Sequence, residues 1–227
     1  MDFGYTNPFS CLWIAEHPQI DDDQKCECPA PIHAGFYVYR EIFMSQRTTE
    51  EHAADIKFHT GNERISHTFA DWAAGDRATL ELHGVPTVQA NKDISAGIQS
   101  VYLLFANSLL HIMKDCLVER DYSLEDDKGI RKAQSLEDEI TLYKYPPDPS
   151  GKQSRLSNIK EDPLDKDNHA MDALRYIIHT LSLRNNFFVP VMSVRQPSQF
   201  SEFRANPWQE EGIFSSSTGL SASRWDA

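Results

Sequence analysis

A run of apolar residues at three- and four-residue spacing in the last third of the chain predicts an amphipathic helix with one buried face. The residues of this run are Ala170, Met171, Ala173, Leu174, Ile177 and Ile178. Asp167 or Asn168 is suited to cap its first turn, and the helix is expected to end at about Leu183. A polar loop containing proline and glycine, residues 148–166, leads into it.

Polar residues of the same segment fall on one side of this helix. His169, Asp172 and either Arg175 or Tyr176 are three or four residues apart, so their side chains are neighbours on the helix surface. A histidine, a carboxylate and a cation are thereby placed at the edge of an apolar face. Taken alone, the pattern is typical of a surface helix with a local ion pair, which contributes little to stability.

Five short segments have strand character, because they are rich in β-branched and aromatic residues or alternate apolar with polar positions. They are residues 9–15, 35–44, 65–71, 85–90 and 109–113. Residues 4–8 form a turn, so the first of these strands should follow a tight hairpin from a short strand that carries Asp2. Asp71 ends the third strand, and an aspartate at that end of a strand faces the crevice where open α/β sheets bind ligands.

Four more helices are expected to begin at residues that favour the start of a helix. These residues are Thr48 or Thr49 with Glu51 nearby, Asp76, Asp93 and Ser135. Gly61 and Gly84 are suited to end the first two of these helices. Together the elements predict an α/β fold with a mixed sheet flanked by helices.

The length of 227 residues allows one domain with a core and an extension. No apolar run is long enough to cross a bilayer, and residues 1–5 are unlike a signal peptide. We therefore expect a soluble intracellular protein. The domain is expected to end at residue 183, because residues 184–227 combine prolines, many serines and isolated aromatic residues, a composition typical of a disordered tail.

The formal net charge is −12, from 22 lysines and arginines against 34 aspartates and glutamates. This balance argues against a protein that coats nucleic acid by bulk attraction. A nuclease with this charge needs its carboxylates gathered on metal ions and its basic residues confined to one groove. Alternatively, another part of a larger machine supplies the contacts that hold the DNA. Lys128, Arg131 and Lys132, in a predicted loop over residues 119–132, either contact phosphates or belong to a solvated loop.

Three aspartates lie far apart in the sequence, Asp2 and Asp71 on predicted strands and Asp172 on the last helix. Oxygen ligands in this arrangement suit Mg²⁺ or Mn²⁺. Two such ions about 4 Å apart can activate a water and stabilise the leaving oxygen of a phosphodiester. The cations would also offset the repulsion between the carboxylates. For Asp2, an ordinary acid in a frayed end of the chain is an alternative interpretation.

Three motifs carry a resemblance to a known family. They are Asp2-Phe3-Gly4-Tyr5-Thr6-Asn7-Pro8, Ala70-Asp71-Trp72-Ala73 with Gly75-Asp76-Arg77, and Asn168-His169-Ala170-Met171-Asp172-Ala173-Leu174-Arg175-Tyr176. Together they resemble the carboxyl-terminal nuclease domain of the large terminase subunit of tailed bacteriophages, over about residues 2–183. The third motif is the most specific of the three.

The resemblance implies a ribonuclease H-like fold and an endonuclease that cuts concatemeric viral DNA during packaging into a procapsid. Asp2, Asp71 and Asp172 would be the ligands of two Mg²⁺ or Mn²⁺ ions, and His169 would ligate, orient a ligand or shuttle a proton. The implied partners are double-stranded DNA, a packaging ATPase, the portal and the small terminase subunit. The implied location is the cytoplasm of the infected or lysogenic bacterial host, with no membrane contact.

Two features depart from the family pattern. The family's large subunit also carries a packaging ATPase, and the 227 residues contain no Gly-x-x-x-x-Gly-Lys-Ser/Thr phosphate loop. In the family several strand residues precede the first acid, whereas only Met1 precedes Asp2. We therefore expect a first strand without its amino-terminal half, which would leave the ladder edge incomplete at a site residue.

Two other functions remain compatible with the sequence. A Holliday-junction resolvase or transposase-like nuclease of the same fold also uses an acidic cluster. A non-catalytic assembly module would instead bind the portal or motor through the aromatic residues of the tail and the acidic surface.

Overall fold

The computed structural model describes residues 1–17, 34–124, 132–144, 163 and 167–185. The predicted tail beyond residue 185, Lys128 and Arg131 lie outside the described residues. In chain order the elements are strand β1 (Phe9–His17), strand β2 (Gly35–Met44), helix α1 (Thr49–Thr60), strand β3 (Phe69–Ala70), helix α2 (Ala74–Leu82), strand β4 (Val88–Gln89), helix α3 (Ile94–Ala106), strand β5 (Leu110–Ile112), strand β6 (Leu117–Arg120), helix α4 (Leu136–Leu142) and helix α5 (His169–Asn185).

Strand β2 is the centre of the larger sheet. Strand β1 runs antiparallel to it, with an irregularity in the pairing between Trp13 and Ile14. On its other side, β5 and β6 run parallel to successive parts of β2. Strands β3 and β4 form a separate parallel pair. Because parallel and antiparallel pairs occur together, the predicted mixed sheet is confirmed.

Two residues at the start of the chain join the two sheets. Asp2 exchanges two backbone hydrogen bonds with Ser10 of β1, at 2.9 and 3.0 Å, in antiparallel geometry. The Met1 ammonium donates to the carbonyl oxygen of Phe69 at 2.8 Å, and the Met1 carbonyl accepts from the N–H of Asp71 at 3.2 Å. These two bonds have the pattern of a parallel ladder. Met1 therefore lies between β1 and β3, and the predicted hairpin from Asp2 into β1 is confirmed.

An open groove continues from Met1 along the edge of β1, and we call it the strand groove. Among the described residues, no strand pairs with this edge beyond Ser10. The groove has a volume of about 990 Å³ and is lined by β1, by residues 64–69 and by Ile177 and Leu181 of α5. The Met1 ammonium lies buried beside it, and burial lowers the pKa of this group.

Helices cover both faces of the sheet. Leu12 of β1 belongs to a core cluster with α3, α4 and α5, whereas its neighbours Cys11 and Trp13 pack with α1 and α2 on the opposite face. Successive side chains of a strand point to opposite faces, so β1 supplies both clusters. The predicted α/β fold with a sheet flanked by helices is confirmed. No helix within the described ranges has the length and apolar character needed to span a membrane.

Three of the four predicted helix starts are confirmed by side-chain caps. The capping residues are Thr48 for α1, in a capping box with Glu51, Asp93 for α3 and Ser135 for α4. The predicted capping role of Asp76 is wrong, because α2 begins earlier, at Ala74, and Ala73 holds the cap position. Asp76 instead accepts a hydrogen bond from the hydroxyl group of Thr49, which links α2 to α1.

Three strands differ from the sequence prediction. The strand expected over residues 85–90 is reduced to Val88–Gln89. The strand expected over residues 65–71 is reduced to Phe69–Ala70. Met1 is the only described residue that pairs with β3 on the groove side, so the residues before Phe69 lack a neighbouring strand there. The last two residues of β6, Glu119 and Arg120, lie where the sequence predicts a charged loop, and they pair there with Ile42 and Phe43 of β2.

Candidate functional site

The three aspartates reach the same region from three parts of the fold. Asp2 follows Met1 between β1 and β3, Asp71 directly follows β3, and Asp172 lies in the first turn of α5. All three charges act on the buried hydroxyl group of Tyr176, whose pKa is raised above its usual range by burial first and then by these carboxylates. Lys92 and Arg175, the partners of Asp71 and Asp172, lie 5.6 and 4.8 Å from the ring centre of this tyrosine.

Each of these aspartates is paired with a different cationic side chain. The pairs are His169 Nδ1 with Asp2 at 3.1 Å, Lys92 Nζ with Asp71 at 2.7 Å and Arg175 Nη2 with Asp172 at 2.9 Å. All six side chains are at least partly buried, so these pairs are screened less than pairs on an open surface. The site is thus a set of three ion pairs in which His169 is beside Asp2, close to the acids as the family resemblance implies.

His169 carries a proton more readily than an isolated histidine. Burial opposes its charge, but the hydrogen bond to Asp2 and the charges of Asp2, Glu139 and Asp172 outweigh that effect and raise the pKa of His169. When His169 is protonated, its Nδ1 can donate to the Asp2 carboxylate at 3.1 Å.

Arg175 holds Asp172 from within the protein interior. Its guanidinium Nη1 donates to the carbonyl oxygens of Lys92 and Asp93, at 3.1 and 3.3 Å, while Nη2 reaches the carboxylate. Any side chain at Gly97 of α3 would clash with Arg175, because a Cβ there would lie 2.5 Å from Cγ of Arg175. Burial is the largest influence on Asp172 and raises the pKa of its carboxyl group, although Arg175 opposes this shift.

Glu139 of α4 fixes the start of α5, a role that sequence reasoning did not predict. One carboxylate oxygen accepts the N–H of His169 and the other accepts the N–H of Met171, both at 2.9 Å. These amides have no partner within the helix, and a carboxylate is favoured there by the helix dipole. Burial raises the pKa of Glu139 to about 7, although these backbone hydrogen bonds oppose the shift.

The present arrangement does not fit a shared metal ion. Across the residues that the structure describes, no three histidine, cysteine, aspartate or glutamate side chains form a group that could hold one. The carboxylates of Asp2, Asp71 and Asp172 each face their own cation instead. Binding of Mg²⁺ or Mn²⁺ by these aspartates stays a prediction, and it requires a rearrangement of the ion pairs.

Comparison with known proteins gives a consistent result for sequence and fold. No family model matches the chain. Over 184 residues the chain is 26% identical to the terminase large subunit of Escherichia phage T5, and the match covers 80% of the chain and 34% of that subunit. Two crystal forms of the large terminase from a thermophilic bacteriophage match with TM-scores of 0.53 and 0.54, at 18% and 17% identity. The chain is similar to phage large terminases.

The match to large terminase covers most of this chain but a minor part of each relative. In the two crystal forms of the thermophilic phage protein, 79% of the chain aligns with 38% and 37% of the large terminase. The chain thus spans about a third of the length of the large terminases it matches. The predicted resemblance to the large terminase subunit is confirmed at the level of the whole subunit, and the assignment to its nuclease domain stays a prediction.

Lys92 and Glu139 are the site residues that sequence reasoning missed. Lys92 lies between β4 and α3, 21 residues after its partner Asp71, and Glu139 is separated from His169 by 30 residues. Neither pair has the regular spacing that a helix or a strand imposes on interacting residues. Lys92 follows a predicted strand and precedes the predicted cap Asp93. Its position in a loop beside the sheet edge was the one sequence signal that it could lie near Asp71.

Proposed function

We propose that the chain acts as the nuclease part of a large terminase. It would have a ribonuclease H-like fold and would cut double-stranded concatemeric viral DNA during genome packaging, as a divalent-metal-dependent endodeoxyribonuclease. The observation that carries the proposal is that ion pairs link all three aspartates to the first part of α5. Lys92 and Arg175, the partners of Asp71 and Asp172, lie 5.6 and 4.8 Å from the ring centre of Tyr176, and the partner of Asp2 is His169. The similarity to large terminases, over 80% of the chain in the phage T5 case, supports it.

The proposed cofactor is Mg²⁺ or Mn²⁺, which would supply Lewis-acid activation of water and phosphate if the aspartates were released from their ion pairs. The protein groups have separate tasks in the proposal. Asp2, Asp71 and Asp172 provide negative charge, and His169 holds a proton at Nδ1 beside Asp2. Arg175 and Glu139 are positioning residues, since they hold Asp172 and the first turn of α5 without facing the proposed substrate site.

The proposed partners follow from the similarity to the whole subunit. Besides DNA, they are a packaging ATPase, the portal and the small terminase subunit, and the proposed location is the cytoplasm of an infected or lysogenic bacterial host. Packaging ATPase activity is not proposed for these 227 residues themselves, because they contain no phosphate-binding loop of the Gly-x-x-x-x-Gly-Lys-Ser/Thr type.

Plasmid cleavage tests the proposed activity. The chain is incubated with supercoiled DNA and either Mn²⁺ or Mg²⁺, and nicked and linear products are followed on gels. We expect cleavage by the unaltered chain, loss of at least about 100-fold in Asp172→Asn, and unchanged cleavage in the control Glu81→Gln, which alters an exposed acid of α2. Circular dichroism confirms that each variant is folded.

Two outcomes would contradict this proposal. Cleavage by Asp172→Asn at the rate of the unaltered chain would show that Asp172 is not a catalytic residue. Absence of cleavage with both ions in every variant would favour the non-catalytic assembly module. A four-way junction is included as a second substrate, because preferential cleavage of the junction over linear duplex would favour a resolvase.

A further inference from the structure

A second cavity lies immediately beside Asp71, and we call it the Trp72 cavity. Its volume is about 740 Å³. It is lined by Trp72, by residues 89–93 from the end of β4 onward, and by Thr180 and Arg184 of α5. Small-molecule and nucleotide sites in proteins commonly fall within this range of volume. Because Trp72 follows Asp71 in the chain and Lys92 binds its carboxylate, the cavity adjoins the proposed catalytic acids.

The walls of this cavity are fixed by hydrogen bonds. The indole N–H of Trp72 donates to the carbonyl oxygen of Ala90 at 2.7 Å, while Trp72 remains 56% exposed. The N–H of Asn91 donates to the hydroxyl oxygen of Thr180 at 2.9 Å, which ties the loop after β4 to α5. The indole ring is thus held in place and presents a surface to solvent.

Two cations border the same cavity, although the chain as a whole is acidic. The guanidinium of Arg184 lies 5.5 Å from the ring centre of Phe69, and none of the described carboxylates pairs with it. Lys92 lies between Asp71 and the cavity. The acid that lines the cavity, Asp93, already accepts the N–H of Ala96 as the cap of α3. Because Lys92 is paired with Asp71, Arg184 is the cation at the cavity that is available to an anion next to the aromatic surface.

We propose that the Trp72 cavity binds an unpaired nucleotide of the DNA strand that passes the aspartates. This inference rests on the proposed nuclease function and adds a substrate subsite to it. The base would stack on the indole of Trp72, and Arg184 would contact the adjoining phosphate. Stacking on an aromatic side chain requires a base that is free of its duplex neighbours, so the subsite selects single-stranded or frayed DNA over intact duplex.

The test measures binding without cleavage. A labelled single strand of about ten nucleotides and a blunt duplex of the same length are titrated with the full chain in EDTA, and fluorescence anisotropy gives the dissociation constants. We expect tighter binding of the single strand. Trp72→Ala should weaken it about tenfold or more, and Trp72→Phe, which keeps a stacking ring, should weaken it less.

Salt dependence separates the role of Arg184 from that of Trp72. A phosphate contact to a single strand contributes about 0.7 to the slope of log affinity against log salt concentration. Arg184→Gln should therefore reduce the slope by about that amount, whereas Trp72→Ala should leave it unchanged. The matched controls are Arg64→Gln and Tyr102→Ala, which remove an exposed cation and an exposed aromatic ring away from the cavity.

The inference is overturned if Trp72→Ala and Arg184→Gln bind the single strand no more weakly than their controls, or if duplex and single strand bind equally. Arg184 has an exposed side chain, so its replacement tests the cavity even if Trp72→Ala fails to fold. The two proposals fail separately. If the unaltered chain does not cleave plasmid DNA but Trp72→Ala and Arg184→Gln weaken single-strand binding as expected, the nuclease function alone is overturned. If the unaltered chain cleaves plasmid DNA but these two variants bind the single strand as their controls do, the subsite alone is overturned.

Discussion

Glu139 accepts a hydrogen bond at 2.9 Å from the backbone N–H of His169, the first residue of α5. Its second carboxylate oxygen does the same for Met171. The side chain is fully buried, so water does not substitute for it at these amides. A residue of α4 therefore holds the turn that presents His169 and Asp172 to the site.

Replacing Glu139 by alanine should lower the free energy of unfolding by about 2 kcal/mol or more, because two buried amides lose a charged acceptor. Urea denaturation at pH 8 measures the change. The control is Glu137→Ala, at an exposed position of the same helix, where we expect a change within about 0.5 kcal/mol. Equal losses in the two variants would mean that Glu139 does not stabilise the start of α5.

Lys92 neutralises Asp71 at 2.7 Å and thereby occupies a carboxylate that a metal ion would need. In Lys92→Met, Asp71 would lose this partner while Asp2 and Asp172 stay nearby, so the attraction for a divalent cation should increase. We expect Mn²⁺ to bind Lys92→Met at least severalfold more tightly than the unaltered chain in isothermal titration calorimetry.

Lys57→Met, which removes an exposed lysine of α1, serves as the control and should bind Mn²⁺ as the unaltered chain does. If Lys92→Met gains no affinity over this control, the ion pair with Asp71 is not what keeps a cation from the aspartates.

Local sequence signals are sufficient for most elements of the fold. The pattern over residues 35–44 predicts β2 with the bounds that the structure shows, and Thr48 with Glu51 predicts the capping box of α1. The prediction at Asp76 is wrong because α2 begins at Ala74 without a side-chain cap, and Asp76 accepts a hydrogen bond from Thr49 of α1 instead. Such a contact between elements leaves no trace in local spacing.

In the candidate site too, some residues are predictable from local sequence and others depend on contacts between elements. Asp172 and Arg175 are three residues apart on one helix, and that spacing predicts their ion pair. Asp2 and Asp71 are predicted from their places in strands and from the family resemblance. Lys92 and Glu139 act across the fold, so their roles emerge only from the packing of the 90–93 loop and of α4 against α5.

Glu41 should make the protein less stable as the pH rises. Burial raises the pKa of this β2 carboxyl group to about 8, although the N–H of Leu136 donates to it. In the unfolded chain its pKa is near the ordinary value of 4.5. Between these two values the folded state holds more protons than the unfolded state, so the free energy of unfolding falls as pH increases.

The variant Glu41→Gln keeps an oxygen for Leu136 and removes the titration. We expect its free energy of unfolding to vary less between pH 5 and pH 8 than that of the unaltered chain, measured by urea denaturation across this range. Glu139, whose pKa is also raised, is present in both proteins, so the comparison reports the titration of Glu41 together with its coupling to Glu139. Parallel pH profiles for the two proteins would exclude Glu41 as a source of the dependence.

The strand groove should accept a β-strand attached to Met1. The bonds of Asp2 to Ser10 and of Met1 to Phe69 define the direction and register that such a strand would take, antiparallel to β1 and parallel to β3. It would be covered on both faces, and strands in that position are continuously apolar. Joining residues to Met1 also replaces a buried ammonium group, whose pKa is lowered by burial, with a neutral amide.

An extension of about five valine and isoleucine residues before Met1 should raise Tm by about 5 °C or more, measured by circular dichroism. It should also slow hydrogen exchange at Leu12, because Leu12 lies two residues after Ser10 and its N–H faces the same edge of β1. A glycine-serine extension of equal length removes the ammonium charge but cannot fill the groove, so it should recover a smaller part of the gain. Equal Tm values for the two extensions would show that the charge alone is responsible, and unchanged exchange at Leu12 would show that the added residues do not enter the groove.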